Sequence, residues 1–98
     1  MRLNNTLRKE IISSAKDSFG DVSVYLFGSR TDDTKKGGDI DLAIMLSEEK
    51  AVFRQKKIKF LTAMMRRGFD YPFDIVQYNS ETTPLLRKEI DRSGILLK

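Results

Sequence analysis

Residues 22–46 read VSVYLFGSRTDDTKKGGDIDLAIML, and this stretch decides the fold. Val22, Val24 and Leu26 alternate with Ser23, Tyr25 and Phe27, so β-branched and aromatic side chains point to both faces of a strand. A strand that is largely apolar on both faces belongs inside a sheet covered on both sides. Gly28-Ser29 ends it. Ser29 is a good N-cap for a short helix in the polar run that follows, and Gly37-Gly38 is a turn or loop. A second strand spans residues 40–46. Ile40, Leu42, Ile44 and Leu46 fall on one face, Asp39, Asp41, Ala43 and Met45 on the other.

Working outward, Leu3, Leu7, Ile11 and Ala15 recur at i+4 with Ile12 and Phe19 beside them, which predicts a helix over residues 4–19 stopped by Gly20. Downstream, Ser47-Glu48-Glu49 reads as an N-cap with acid in the first turn. A helix of about 20 residues is expected next, closed by Arg66-Arg67-Gly68. Its core face is assigned to Val52, Leu61 and Met65 with Ala51, Ile58 and Met64. Phe73–Tyr78 is a third strand. Thr83-Pro84 opens the last helix, with threonine as N-cap and proline at the first helical position. Leu85, Leu86 and Ile90 supply its apolar face, and Gly94 ends it. Ile95-Leu96-Leu97 is an apolar tail that either adds an edge strand or docks on a partner. The order α-β-α-β-α-β-α predicts an α/β (α+β) fold: a small mixed β-sheet of three to four strands packed with helices, in a single domain over residues 1–98.

Composition narrows the chemistry. The 98 residues contain no cysteine and no histidine, which excludes disulfides, thiolate and histidine chemistry and zinc–cysteine sites. Any catalysis must use carboxylates, hydroxyls, lysine, arginine or a bound ion, and oxygen ligands favour hard cations. No apolar run approaches the roughly 20 residues of a membrane span, and Met1-Arg2-Leu3-Asn4-Asn5 does not lead into a signal-peptide core, so a cytoplasmic location is expected. The net charge of +4 lies wholly in residues 48–98, where eleven basic side chains face seven acidic ones; residues 1–47 hold seven of each. A basic half is a solvated helix face or a surface that attracts phosphate, nucleic acid or an acidic partner. No nucleic-acid module is recognisable and aromatics are not interleaved along the basic stretch, which argues against direct nucleic-acid binding. Self-association is left open.

Three acids and one corner carry chemistry. Asp39 and Asp41 point to the same face of a strand, roughly 6.6 Å apart along the chain. Such a pair converges on one divalent cation, or on two about 3.5–4 Å apart; equally, an isolated Asp-x-Asp marks the exposed start of a strand. Asp74, early in the apolar strand Phe73-Asp74-Ile75-Val76, reaches the same site if the third strand lies beside the second. Gly28 lets a ligand approach the backbone, and free N–H groups at a helix begun by Ser29 favour phosphate. An ordinary strand-to-helix turn has the same sequence.

Taken together, Phe27-Gly28-Ser29-Arg30, nine residues separating Ser29 from Asp39, then Asp39-Ile40-Asp41-Leu42 and a later strand carrying Asp74, resemble the DNA polymerase beta-type nucleotidyltransferase superfamily. The short length and Gly-Ser-Arg start are most similar to its minimal nucleotidyltransferases, often the antitoxin partner of an all-helical HEPN toxin. The resemblance implies that Gly28, Ser29 and Arg30 bind the triphosphate of ATP or another NTP. It implies that Asp39, Asp41 and Asp74 hold magnesium, two ions in all, and that Asp74 helps activate an acceptor hydroxyl. A nucleoside monophosphate, AMP from ATP, would then pass to a partner toxin. Thr31-Asp32-Asp33 departs from the basic or small residues of many relatives, with Lys35-Lys36 as a compensating charge. The other reading is a non-catalytic antitoxin that neutralises a HEPN-type partner by contact, through the basic helix around residues 54–59 and the tail 95–97.

Overall fold

The computed structural model describes residues 5–28 and 40–98. The helix expected to start at Ser29 and the Gly37-Gly38 turn lie outside those residues. Among the described residues the order is α1 (Asn5–Phe19), β1 (Val24–Phe27), β2 (Ile40–Met45), α2 (Lys50–Arg66), β3 (Phe73–Tyr78), α3 (Pro84–Ser93) and β4 (Ile95–Leu96). The four strands form one mixed sheet in the order β3-β2-β1-β4. β1 runs antiparallel to β2 and to β4, and β2 is parallel to β3. A parallel pair needs a crossover, and α2 is that crossover.

Side-chain alternation divides the sheet into two faces. Val24, Leu26, Ile40, Leu42, Ile44 and Ile75 point towards α1 and α2, where they join Leu7, Ile11, Ala15, Phe53, Phe60 and Met64 in the main core. Phe27 and Ala43 point the other way, under Ile90 of α3, with Tyr25, Val76, Tyr78 and Leu86 around them. β1 is therefore covered on both faces and flanked on both edges, as its two apolar faces require.

The core face of α2 differs from the sequence expectation. Phe53, Phe60 and Met64 are buried, whereas Ile58 and Met65 are 55% and 59% exposed. The reason is aromatic packing. Phe19 stacks on Phe53 with ring centroids 5.5 Å apart, and Phe60 meets Phe73 edge-on at 5.5 Å. Larger rings at the same helical period take the inner face and turn the smaller side chains outward. In α3, Leu86 and Ile90 pack inward but Leu85 is 82% exposed.

Ser47 is not the cap of α2. The helix begins three residues later, with Glu49 as N-cap, no side-chain capping bond and no acid in the first turn. The backbone ahead of it is held extended by β3. Glu48 N–H donates to Gln77 Oε1 (2.9 Å), Gln77 Nε2 donates to Glu48 O (3.1 Å), and Asn79 Nδ2 donates to Leu46 O (2.9 Å). These carboxamides continue the sheet ladder through side chains, so the chain cannot coil until it has passed them.

The apolar tail is an edge strand. Leu97 N–H donates to Val24 O (2.8 Å), and Leu97 is buried in the main core, while Leu96 stays exposed. Thr83 and Pro84 open α3 as expected, although threonine makes no side-chain cap bond. Among the described residues no helix is long and apolar enough to cross a membrane.

Candidate active site

The register brings two of the expected acids together. Asp41 of β2 is the direct partner of Asp74 of β3, and Phe27 of β1 is the partner of Asp41. Neighbouring strands lie about 4.8 Å apart and direct partners share a face. The two carboxylates thus start from adjacent positions on the face that carries α3. Asp41 is half-buried and Asp74 exposed. They stand near the start of β2 and β3, one residue after Ile40 and Phe73, where the ladder has just formed.

Gly28 completes the row. It follows Phe27, the last residue of β1, and takes φ +76°. A Cβ at this position would collide with the Asp41 carboxylate, lying 3.2 Å from its Cγ and closer still to Oδ2. Glycine is required twice over, by the left-handed backbone and by the carboxylate packed against it. The corner is also tied to α3. Gly28 N–H donates to Ser93 Oγ (3.4 Å), and the Ser93 hydroxyl donates to Glu89 O (2.9 Å). Ser93 was not among the expected site residues. Its only mark in the sequence is its place before the helix-ending Gly94, which says nothing of what it touches.

Ser29, Arg30 and Asp39 lie outside the described residues. Among the described residues no three metal-ligating side chains cluster, so the described acids of the expected site are the pair Asp41 and Asp74.

The same face of the sheet carries a cleft of about 390 Å³ lined by Tyr25, Met45, Tyr78, Ile90, Asp91 and Gly94. Tyr25 pairs with Ala43, two residues from Asp41, and Met45 stands four residues beyond Asp41, so the cleft runs along the sheet from beside the acid pair. Inside it, Tyr78 Oη donates to Asp91 Oδ1 (2.5 Å), and the Arg87 guanidinium sits 5.2 Å from the Tyr78 ring centroid. The bond to Asp91 raises the Tyr78 phenol above its ordinary value, helped by desolvation and the carboxylate charge and opposed by Arg87.

Comparison with known proteins bears on the family and the fold. The family model described as "Polymerase beta, Nucleotidyltransferase" matches residues 6–98. No curated protein matches the chain. Several solved structures share its fold. A chain of a toxin–antitoxin crystal structure with AMP-PNP is 23% identical, with a TM-score of 0.71, over 93% of this chain and 72% of that one. A chain of the MntA–HepT toxin–antitoxin is 20% identical, with a TM-score of 0.69, over 97% and 72%. A chain of the tri-AMPylated Shewanella oneidensis HEPN toxin in complex with MNT antitoxin is 21% identical, with a TM-score of 0.70, over 98% and 72%. At these identities the likeness is one of fold.

Proposed function

Since the chain belongs to the polymerase beta nucleotidyltransferase family, we propose that it is a magnesium-dependent nucleotidyltransferase that passes AMP from ATP to a hydroxyl of a HEPN-type partner toxin, acting as its cytoplasmic antitoxin. The observation that carries this reading is the register pairing of Asp41 with Asp74 beside the Gly28 corner. Two carboxylates on one face offer hard oxygen donors of the kind magnesium takes, together with substrate phosphates. Two acids so close would otherwise repel, and a cation between them removes that cost. The fit is therefore good, with Asp39 as the third ligand by the family resemblance. Magnesium bound there would offset phosphate charge and lower the pKa of the acceptor hydroxyl.

The chain's own groups have distinct tasks. Gly28 leaves the Asp41 carboxylate its place against the backbone, and Gly28, Ser29 and Arg30 bind the triphosphate. The acceptor oxygen attacks the α-phosphorus, forming a new O–P bond as the bond from the α-phosphorus to the bridging oxygen breaks. Pyrophosphate leaves with that electron pair, and Asp74 accepts the hydroxyl proton. Two of the fold neighbours come from structures with AMP-PNP and with an AMPylated HEPN toxin, which supports the choice of adenylate and of protein acceptor.

The test is transfer of label from ATP to the protein encoded in the adjacent reading frame, with magnesium present. Wild type labels it and Asp39→Asn/Asp41→Asn does not. Equal labelling by the double variant would remove the site assignment. Neutralisation that survives in the double variant would instead favour the contact-only reading.

A further inference from the structure

α2 carries six cations, Lys50, Arg54, Lys56, Lys57, Lys59 and Arg66, and no carboxylate across 17 residues. Only Lys56 has an ion pair among the described residues, with Glu48 at 2.8 Å. Lys59 and Arg66 flank a groove facing α1, together with Asp17 and with Arg67, which is itself paired to Glu10 and Asp17. The other flank has a different character. Ala51, Ile58 and Met65 recur every seven residues, with Arg54 and Leu61 between them at the a–d spacing. Leu61 is half-buried and the other four are exposed. Lys50 and Lys57 stand one heptad apart, each immediately ahead of an a-type position, where coiled-coil charges set partner choice.

We propose that this flank of α2 is a docking face for an acidic amphipathic helix of a partner protein. It deepens the reading above by naming the surface and the chemistry of the protein partner, and it rests on that reading only for there being such a partner, not on catalysis. Ala51, Ile58 and Met65, exposed one heptad apart, fit the apolar stripe of a second helix, with Leu61, which also packs on the main core, beside them. A solvated face would gain nothing from Ile58 and Met65 at more than half exposure. The cations beside the stripe select a helix whose flanking positions carry Glu or Asp. RNA is the less suited occupant. The face offers aliphatic groups and no aromatic ring for base stacking, and Lys59 and Arg66 lie on the far flank.

The probe is a synthetic helical peptide with Leu at a and d and Glu at e and g, titrated against the whole chain by fluorescence anisotropy. A twin peptide with Gln at e and g and a labelled single-stranded RNA serve as the other arms. The Glu peptide binds at low salt and weakens as salt rises. Lys50→Glu/Lys57→Glu weakens it about tenfold and Ile58→Ser/Met65→Ser abolishes it. Both pairs are exposed or half-exposed, and circular dichroism checks that each variant keeps its fold. Equal binding of the Gln peptide, indifference to either variant pair, or tighter binding of the RNA would each overturn the proposal. Magnesium-dependent ATP binding, measured on the same variants, reports on the aspartate pair. Its absence in wild type with peptide binding intact would sink the proposed catalysis and leave this face standing.

Discussion

Gly28→Ala tests the corner against a control supplied by the same chain. Gly28 and Gly68 both have positive φ, +76° and +88°, so an alanine at either carries the left-handed cost of about 1–2 kcal/mol. At Gly68 nothing lies within 4 Å of an added Cβ, so that variant measures the backbone cost alone. At Gly28 the added atom meets the Asp41 carboxylate. That carboxylate is the end of a half-buried side chain and escapes by leaving its rotamer, at a further cost of about 0.5–1.5 kcal/mol. Gly68→Ala therefore loses about 1–2 kcal/mol and Gly28→Ala about 1.5–3.5 kcal/mol in urea denaturation followed by circular dichroism. The functional contrast is larger. Swinging Asp41 away breaks its alignment with Asp74, so the affinity for magnesium–ATP, read by calorimetry, falls at least about tenfold in Gly28→Ala and is unchanged in Gly68→Ala. If Gly28→Ala bound magnesium–ATP as wild type does, the corner would not be shaping the acid pair, and the reasoning would fail.

Three further outcomes follow from the same geometry. Asp74→Asn abolishes nucleotide transfer while leaving stability unchanged or raised by about a few tenths of a kcal/mol, because it removes one of two adjacent negative charges; transfer assays and denaturation on one sample check both. Phe60→Ala removes a fully buried ring that touches Phe19 and Phe73, and costs about 3–5 kcal/mol in urea denaturation. Asp91→Asn lowers the Tyr78 phenol towards its ordinary value in an ultraviolet titration. Because the native value lies above the unfolded one, the contact stabilises fully below the unfolded tyrosine pKa. That contribution is lost as pH rises through the raised native value, so the wild-type contact matters up to alkaline pH and not beyond.

The sequence was most legible where one period admitted one answer. Strict alternation from Ile40 to Met45 separated the core residues from Asp41, and Phe73–Tyr78 was bounded by Pro72 and the polar run after it. The fold class followed from the order of elements, whereas the fourth strand was one of two readings of the tail, and its pairing with β1 decides between them. In α2 the period was right and the face was only partly so: Met64 is buried and Leu61 packs on the core, but Ile58 and Met65, as apolar as the residues that displaced them, turn outward. Only the position of Phe19 on a different helix decides which stripe turns inward. The start of α2 was misplaced for the same kind of reason, because Gln77 and Asn79 act on it from about 30 residues away in sequence. At the site, Asp41 and Asp74 were identifiable as candidates, but their being register partners is a property of strand pairing and appears in neither segment alone. Ser93 was marked only by its place before Gly94, which does not disclose its bond to Gly28.

The position of β1 has a consequence for how the protein is made. Its partner on one side is β2, close in sequence, but its partner on the other is β4, about 70 residues downstream. While the chain emerges from the ribosome, the outer edge of β1 stays bare until residues 95–97 are released, presenting unpaired amides and the exposed flanks of Val24 and Leu26 to other nascent strands. Folding of the sheet is thus timed by β4, and conditions that slow translation of the codons between β1 and β4 would lengthen the interval in which the chain is prone to aggregate.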